Sequence, residues 1–206
     1  MSQKEFVGVQ GLILTNEMKL IIAAQACIPV LKPELKFYSS FIQITVYPSD
    51  FWVKRNEIDE AGVVHLKKVL LSGKSWTRGP VILSWQDIKS DMKNDANGHN
   101  VIIHEFCHKI DMLNRGANGA PPIPANSSEA EWNSIFNDAY TRLLKQLHSQ
   151  HKTSINIYAA QSPIEFLAVS SEFFLLHLST YSIIFAMFMT SQPCFSTESG
   201  KTFNKF

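Results

Sequence analysis

Two histidines stand four residues apart in NVIIHEFCHKIDML, residues 100–113, and a glutamate follows the first directly. On an α-helix, positions i and i+4 lie one turn apart on the same face. His104 and His108 can therefore offer two imidazole nitrogens to one ion. Glu105 lies about 100° round the helix, where it cannot easily bind the same ion but can reach a water held by it. Zinc lowers the pKa of such a water to roughly 7, and a carboxylate can then take its proton. This is the mechanical content of H-E-x-x-H. The bland alternative is a pair of structural histidines. Ile103, Phe106, Ile110 and Leu113 recur at three and four residues, the apolar stripe of a helix, and that context favours the metal.

A catalytic zinc usually has three protein ligands and one open position. SPIEFLAVSSEFF, residues 162–174, offers Glu165 and Glu172, seven apart and so on one helix face. Ser162-x-x-Glu165 is also a capping box, in which the glutamate would close back on the cap. Beside the upstream motif, a glutamate in the first turn of a rigid helix is a good third ligand. Glu172 is expected behind the ligands, as a supporting carboxylate. Asp111 stands at i+7 from His104 and i+3 from His108, where it could orient a ligand imidazole. A plain surface charge is its alternative, weakened because a helix C-terminus disfavours Asp. Tyr158 could donate to an oxyanion, but spacing alone favours a tyrosine that merely holds its loop. Cys107 points away from the ligand face and reads as core. His65, His99, His148, His151 and His177 have no metal spacing.

The elements that must position these groups follow from pattern. FVGVQGLIL (6–14), FIQITVYP (41–48), VVHLKKVLLSG (from Val63, closed by a Gly turn) and GPVILSW (79–85) read as strands. Thr15 or Asn16 caps a helix through EMKLIIAAQACI, which Pro29 helps to end. The first 95 residues thus predict a mixed sheet with one helix. The His helix, a loop RGANGAPPIPANSS, an amphipathic helix capped by Ser127 or Ser128, and a helix opened by Ser162 and Pro163 complete residues 96–180. The expected class is α+β, a mixed sheet packed on the active-site helix, in one catalytic domain over residues 1–180 with a divergent tail at 181–206.

Composition excludes little and permits a core. The chain has 206 residues, 45% hydrophobic and 18% charged, with a net charge of +1. No basic block favours nucleic acid, so no direct nucleic-acid partner is expected. Three cysteines form no C-x-x-C pair and no disulfide framework. MSQKEFVGVQ lacks the apolar stretch of a signal peptide, and a reducing cytoplasm is the simplest home.

HEFCHKID, NGAPPIP, YAAQSPIEFLAVSSEFF, GKSWTRGPVILSWQDI and VYPSDF together resemble the MtfA (Mlc titration factor A) family of bacterial zinc peptidases, from about Phe6 to Phe174. H-E-F-x-H-x-x-D followed by Y-x6-E-F is also similar to the catalytic domain of anthrax lethal factor, a zincin whose third ligand is Glu. The resemblance implies a zincin-like fold, with His104, His108 and Glu165 as zinc ligands, Glu105 as base and Tyr158 as the oxyanion-stabilising phenol. It implies aminopeptidase-type hydrolysis of a peptide or protein substrate. It also implies a link to sugar uptake through a transcriptional repressor of the Mlc type. A binding protein that sequesters such a regulator is the rival reading.

Two features depart from the family pattern, which begins with a further helical segment and ends in a polar, Pro-containing part. Here LLHLSTYSIIFAMFMTSQPCF takes that last place. Residues 173–190 almost reach the length of a membrane span. They hold His177 and several hydroxyls and would leave directly from the active-site helix, so a membrane partner is not expected.

Overall fold

The computed structural model describes residues 3–30, 35–58, 64–71, 73–75, 79–94, 98–114, 116–123 and 127–177. The first half builds a four-stranded sheet in the order β1-β2-β6-β5, from β1 (Glu5–Gly8), β2 (Gln43–Tyr47), β5 (Gly73–Ser75) and β6 (Val81–Ser84). β1, β2 and β6 run parallel, and β5 pairs antiparallel with β6 at the sheet edge. A separate antiparallel hairpin joins β3 (Phe51–Ile58) to β4 (Val64–Leu71), with Phe51 opposite Leu71. The sheet is mixed, as the pattern predicts, and with the helices it fits the α+β class.

Several boundaries differ from the pattern. β1 stops at Gly8 instead of running to Leu14. The chain doubles back through Gln10 (φ 53°) and Gly11 (φ 79°), so that the Leu12 carbonyl packs onto Gly8 where a Cβ would stand. Gly73 does not close a turn after β4 but opens β5. The run at 79–85 yields only a four-residue strand. Ser84 then caps α2 (Trp85–Lys93), its hydroxyl accepting from the Asp87 N–H at 3.2 Å. That helix and β3 lie where the pattern suggests neither.

The remaining helices follow their caps. Thr15 caps α1 (Asn16–Cys27), Asn100 caps α3 (Val101–Asp111), Ser128 caps α4 (Glu129–His148) and Ser162 caps α5 (Pro163–Leu176). Each cap's side-chain oxygen accepts a backbone N–H that the first turn leaves without a partner.

α3 is the hub. Ile102 and Phe106 pack with Ile22 and Ala26 of α1, Ile44 and Val46 of β2, and Val81 and Leu83 of β6. Tyr38 meets Phe106 edge-on at 4.9 Å and donates its hydroxyl to the Ala26 carbonyl at 2.8 Å. Ile103 and Cys107 turn instead to Ala168 of α5. A second cluster joins Trp132, Phe136 and Leu143 of α4 to Phe166, Leu167 and Val169 of α5. A helix apolar on two faces must be buried on both, and that is what holds α3 rigid between the sheet and α5. No helix among the described residues is long and apolar enough to cross a membrane. The tail at 181–206, and most of the apolar run at 173–190, lie outside the described residues.

Candidate metal centre

The face of α3 left over by these two cores carries His104, Glu105 and His108, all buried. Asn100 sets the register of the helix, its side-chain oxygen accepting the Ile103 N–H at 3.0 Å. Asp91 of α2 accepts the Val101 N–H at 2.8 Å and holds His99 at 2.8 Å. His99, which has no metal spacing, thus belongs to the framework that fixes the start of α3.

α5 supplies the carboxylates. Ser162 accepts the Glu165 N–H at 3.2 Å, so the serine half of the capping box is made. The glutamate half turns elsewhere. Glu165 Oε2 lies 3.0 Å from His104 Nε2 and 3.4 Å from His108 Nε2, and the two Nε2 atoms are 3.0 Å apart. Donors bound tetrahedrally to one ion at about 2.0–2.2 Å stand roughly 3.3–3.6 Å from one another. The triangle needs only tenths of an ångström to match. Glu165 Oε2 is also buried and makes no well-aligned hydrogen bond, despite both imidazoles beside it. Two ring nitrogens and a buried carboxylate oxygen this close together make a donor set that could hold a cation. Among the described residues it is the one cluster of this kind.

Glu172 occupies the other side of the same imidazole. Its Oε1 lies 2.5 Å from His104 Nδ1, and its Oε2 accepts the Asn100 N–H at 2.7 Å. A carboxylate can only accept, so Nδ1 carries the hydrogen and the Nε2 lone pair is left for an ion. The two glutamates of α5 thus grip the two nitrogens of one ring. In the metal-free protein this environment favours a proton on His104. Burial opposes the charge, but the contacts with Glu165 and Glu172 outweigh it and lift its pKa well above the ordinary value. For Glu165, too, burial opposes ionisation, yet His104 and His108 hold its carboxyl far below the usual range.

Glu105 projects from α3 toward β5, where its carboxylate packs against Gly73. It is 4% exposed, and its Oε2 is buried without a hydrogen-bond partner. Burial raises its pKa, and the nearby imidazoles only partly offset this. Tyr158 sits on a one-turn 3-10 helix, Ile157–Ala160, capped by Asn156 and tied to α4 by the Tyr140 hydroxyl, which donates to the Ala160 carbonyl at 3.0 Å. Its ring centroid is 6.0 Å from that of His104, and the residue is 38% exposed. It therefore stands at the open side of the site.

Asp111 is fully buried, not a surface charge. Its Oδ2 accepts the Asn118 and Gly119 N–H groups, each at 2.9 Å, and its Oδ1 is buried without a partner. Its hydrogen bonds hold the 116–120 loop, and it reaches His108 through its charge. Gly119, with φ 79°, passes so close to Phe136 and the Pro163 carbonyl that no Cβ would fit. The loop anchored by Asp111 therefore braces the start of the helix that carries Glu165. Cys107 faces the core, as expected, and burial pushes its thiol up to about 12, which removes it as a nucleophile or ligand. Sequence reasoning missed Gly73, Asn100 and Asp91. Asn100 alone gave a local signal, as an Asn directly before the apolar-periodic run.

The family model of the glucose-regulated metallo-peptidase M90 matches residues 1–179. The chain is 39% identical over 175 residues to an uncharacterized protein of Synechocystis sp., covering 84% of this chain and 64% of that one. It is 39% identical over 177 residues to a Mlc titration factor A of Serratia proteamaculans, covering 84% and 66%. It is 38% identical over 177 residues to a Mlc titration factor A of Yersinia pestis, covering 84% and 64%. The chain thus spans 64–66% of the length of these relatives.

Proposed function

Because the chain belongs to the glucose-regulated metallo-peptidase family, we propose that it is a zinc-dependent peptidase in which His104, His108 and Glu165 hold the ion. The observation that carries this reading is the convergence of three donor atoms 3.0–3.4 Å apart, two imidazole nitrogens and one buried carboxylate oxygen. Two imidazoles and one carboxylate are a borderline-soft set that suits zinc and leaves a fourth position open. Held by these three residues, zinc would supply a Lewis acid able to activate water and polarise a peptide carbonyl.

The chain's own residues do the rest. Glu105 takes the proton of the attacking water on its free carboxylate and returns it to the leaving amine. Its burial raises its pKa, which suits a group that must both accept and release a proton. Tyr158 donates its hydroxyl to the oxygen that gains charge in the transition state. Glu172 holds His104 in the tautomer that presents Nε2. Asp111 acts behind the ligands, through the loop that braces α5.

The fold around this chemistry is a zincin-like catalytic domain over residues 1–180, and the activity is aminopeptidase-like, acting in the cytoplasm on a peptide or protein. The relatives' name, Mlc titration factor A, supports a repressor of the Mlc type as partner and a role in the control of sugar uptake. It also supports a second reading, in which the protein sequesters a regulator without cutting it.

Glu105→Gln separates the two. Gln fills the same space and cannot take a proton. The variant should keep one equivalent of zinc and lose on the order of 10²–10⁴ in the rate of cleaving amino-acid amides. Near-normal turnover of the zinc-loaded variant would refute the mechanism.

A further inference from the structure

We propose that Gly73 is a positioning residue for the general base: the missing side chain at the head of β5 is the slot that holds the Glu105 carboxylate. This deepens the peptidase reading and rests on it for the role of Glu105. The contact itself stands independently.

The geometry is direct. A Cβ placed on Gly73 would lie 2.5 Å from Glu105 Oε1, 2.7 Å from its Cγ and 2.9 Å from its Cδ. Side-chain carbons essentially never approach other heavy atoms under 3.0 Å, and here three would do so at once. The backbone at Gly73 is held in strand pairing, with Gly73 opposite Leu83 of β6. Its conformation is not the reason for glycine, because its φ lies outside the left-handed region that glycine favours. The reason is space.

Neither side can give easily. Glu105 belongs to a helix packed on both the sheet and α5 and is 4% exposed. On the other side, Gly73 is tied into the sheet by its pairing with the fully buried Leu83. Any larger residue at position 73 must push the carboxylate by about 1 Å to regain ordinary van der Waals distance. A glycine within an edge strand weakens the strand. Here that weakness is the condition for bringing a strand backbone against a catalytic carboxylate.

The test is Gly73→Ala, alone and combined with Glu105→Ala, read by melting temperature, zinc content and steady-state kinetics. A shift of about 1 Å in a reacting group costs on the order of 10² in rate. Gly73→Ala should therefore lower kcat about 100-fold with KM within about threefold and one zinc retained. Overpacking should lower its melting temperature by roughly 3–9 °C. In the Glu105→Ala background the slot is empty, and the same substitution should leave the melting temperature unchanged or raise it.

That reversal would be expected from a contact between these two side chains and from no general defect in β5. It can be read even if the protein cuts nothing, so a failure of the peptidase reading stays distinguishable. If Gly73→Ala destabilises equally in both backgrounds, or keeps full kcat with zinc bound, the proposal is wrong. Should Gly73→Ala alone not fold, recovery of a folded protein in Gly73→Ala/Glu105→Ala supports the proposal, and failure of both overturns it.

Discussion

Replacing Glu172 by Gln should weaken zinc binding while leaving the fold nearly intact, and the structure supplies the size of the effect. Glu172 is 1% exposed and accepts from two donors, the Asn100 N–H at 2.7 Å and His104 Nδ1 at 2.5 Å. Gln has one acceptor oxygen and one donor nitrogen. The Asn100 N–H is a donor that cannot change role, so the amide oxygen must face it. The amide NH2 then faces His104 Nδ1, which becomes an acceptor, and the ring hydrogen moves to Nε2. With the ring neutral both bonds are satisfied, so at a pH above the raised pKa of His104 stability falls little. Zinc, however, needs the Nε2 lone pair, and recovering it sets the Nδ1 hydrogen against the amide hydrogens. One buried donor left without an acceptor costs about 1–3 kcal/mol, which is roughly 5- to 150-fold in affinity. Glu172→Ala is the contrast. It strands both buried donors, at about 2–6 kcal/mol, and should lower the melting temperature of the metal-free protein by more than about 5 °C. Zinc titration against a competing chelator, with thermal melts of the metal-free proteins, measures both. If Glu172→Gln binds zinc within twofold of the unaltered chain, Glu172 does not set the tautomer and the reasoning fails.

Glu165→Ala should release the metal, as judged by elemental analysis after dialysis; a helix-capping role for its carboxylate predicts zinc retained and only a small loss of stability. Tyr158→Phe should lower kcat by roughly 10²–10³ with little change in KM; a pure KM effect in steady-state assays would place the phenol in substrate binding instead. Lys109 is fully buried, donates to the Gly79 carbonyl at 2.8 Å, and is pulled down by burial from 10.5 to about 8. Below pH 8 both folded and unfolded chains carry its charge and the burial penalty is complete. Between pH 8 and 10.5 only the unfolded chain keeps the proton, so stability should rise with pH by roughly 1–3 kcal/mol. Urea melts at pH 7.5 and 10.5 should show that rise, and Lys109→Met should abolish it.

The pair His104 and His108 was legible because its whole meaning is local: a four-residue spacing on one helix. The caps Thr15, Ser128 and Ser162 were legible for the same reason, each answering to the N–H groups of the turn that follows. Glu165 and Glu172 could be placed on one helix face, but not told apart by contact, since their partners lie 57–72 residues away in sequence. The Asn100 N–H that fixes one end of Glu172 leaves no trace in composition or period. Asp111 was placed on the right helix, while the loop N–H groups it accepts belong to a segment whose path no periodicity describes. Gly73 looked like a turn because glycine usually marks one; its actual reason is the tertiary approach of Glu105. α2 was missed because its start overlaps the end of an apolar strand, where Ser84 serves both.

The ligand atoms come from two helices packed directly on each other, Ile103 and Cys107 of α3 against Ala168 of α5, and α5 in turn lays Phe166, Leu167 and Val169 against α4. An ion held by His104, His108 and Glu165 is therefore a cross-link between the half of the molecule built on the sheet and the half built on α4. Free metal at 100 times its dissociation constant adds about 2.7 kcal/mol to folding, a large part of what a domain this size has in total. If zinc is that ion, its supply would bear on how much of the chain stays folded, as well as on how much is active.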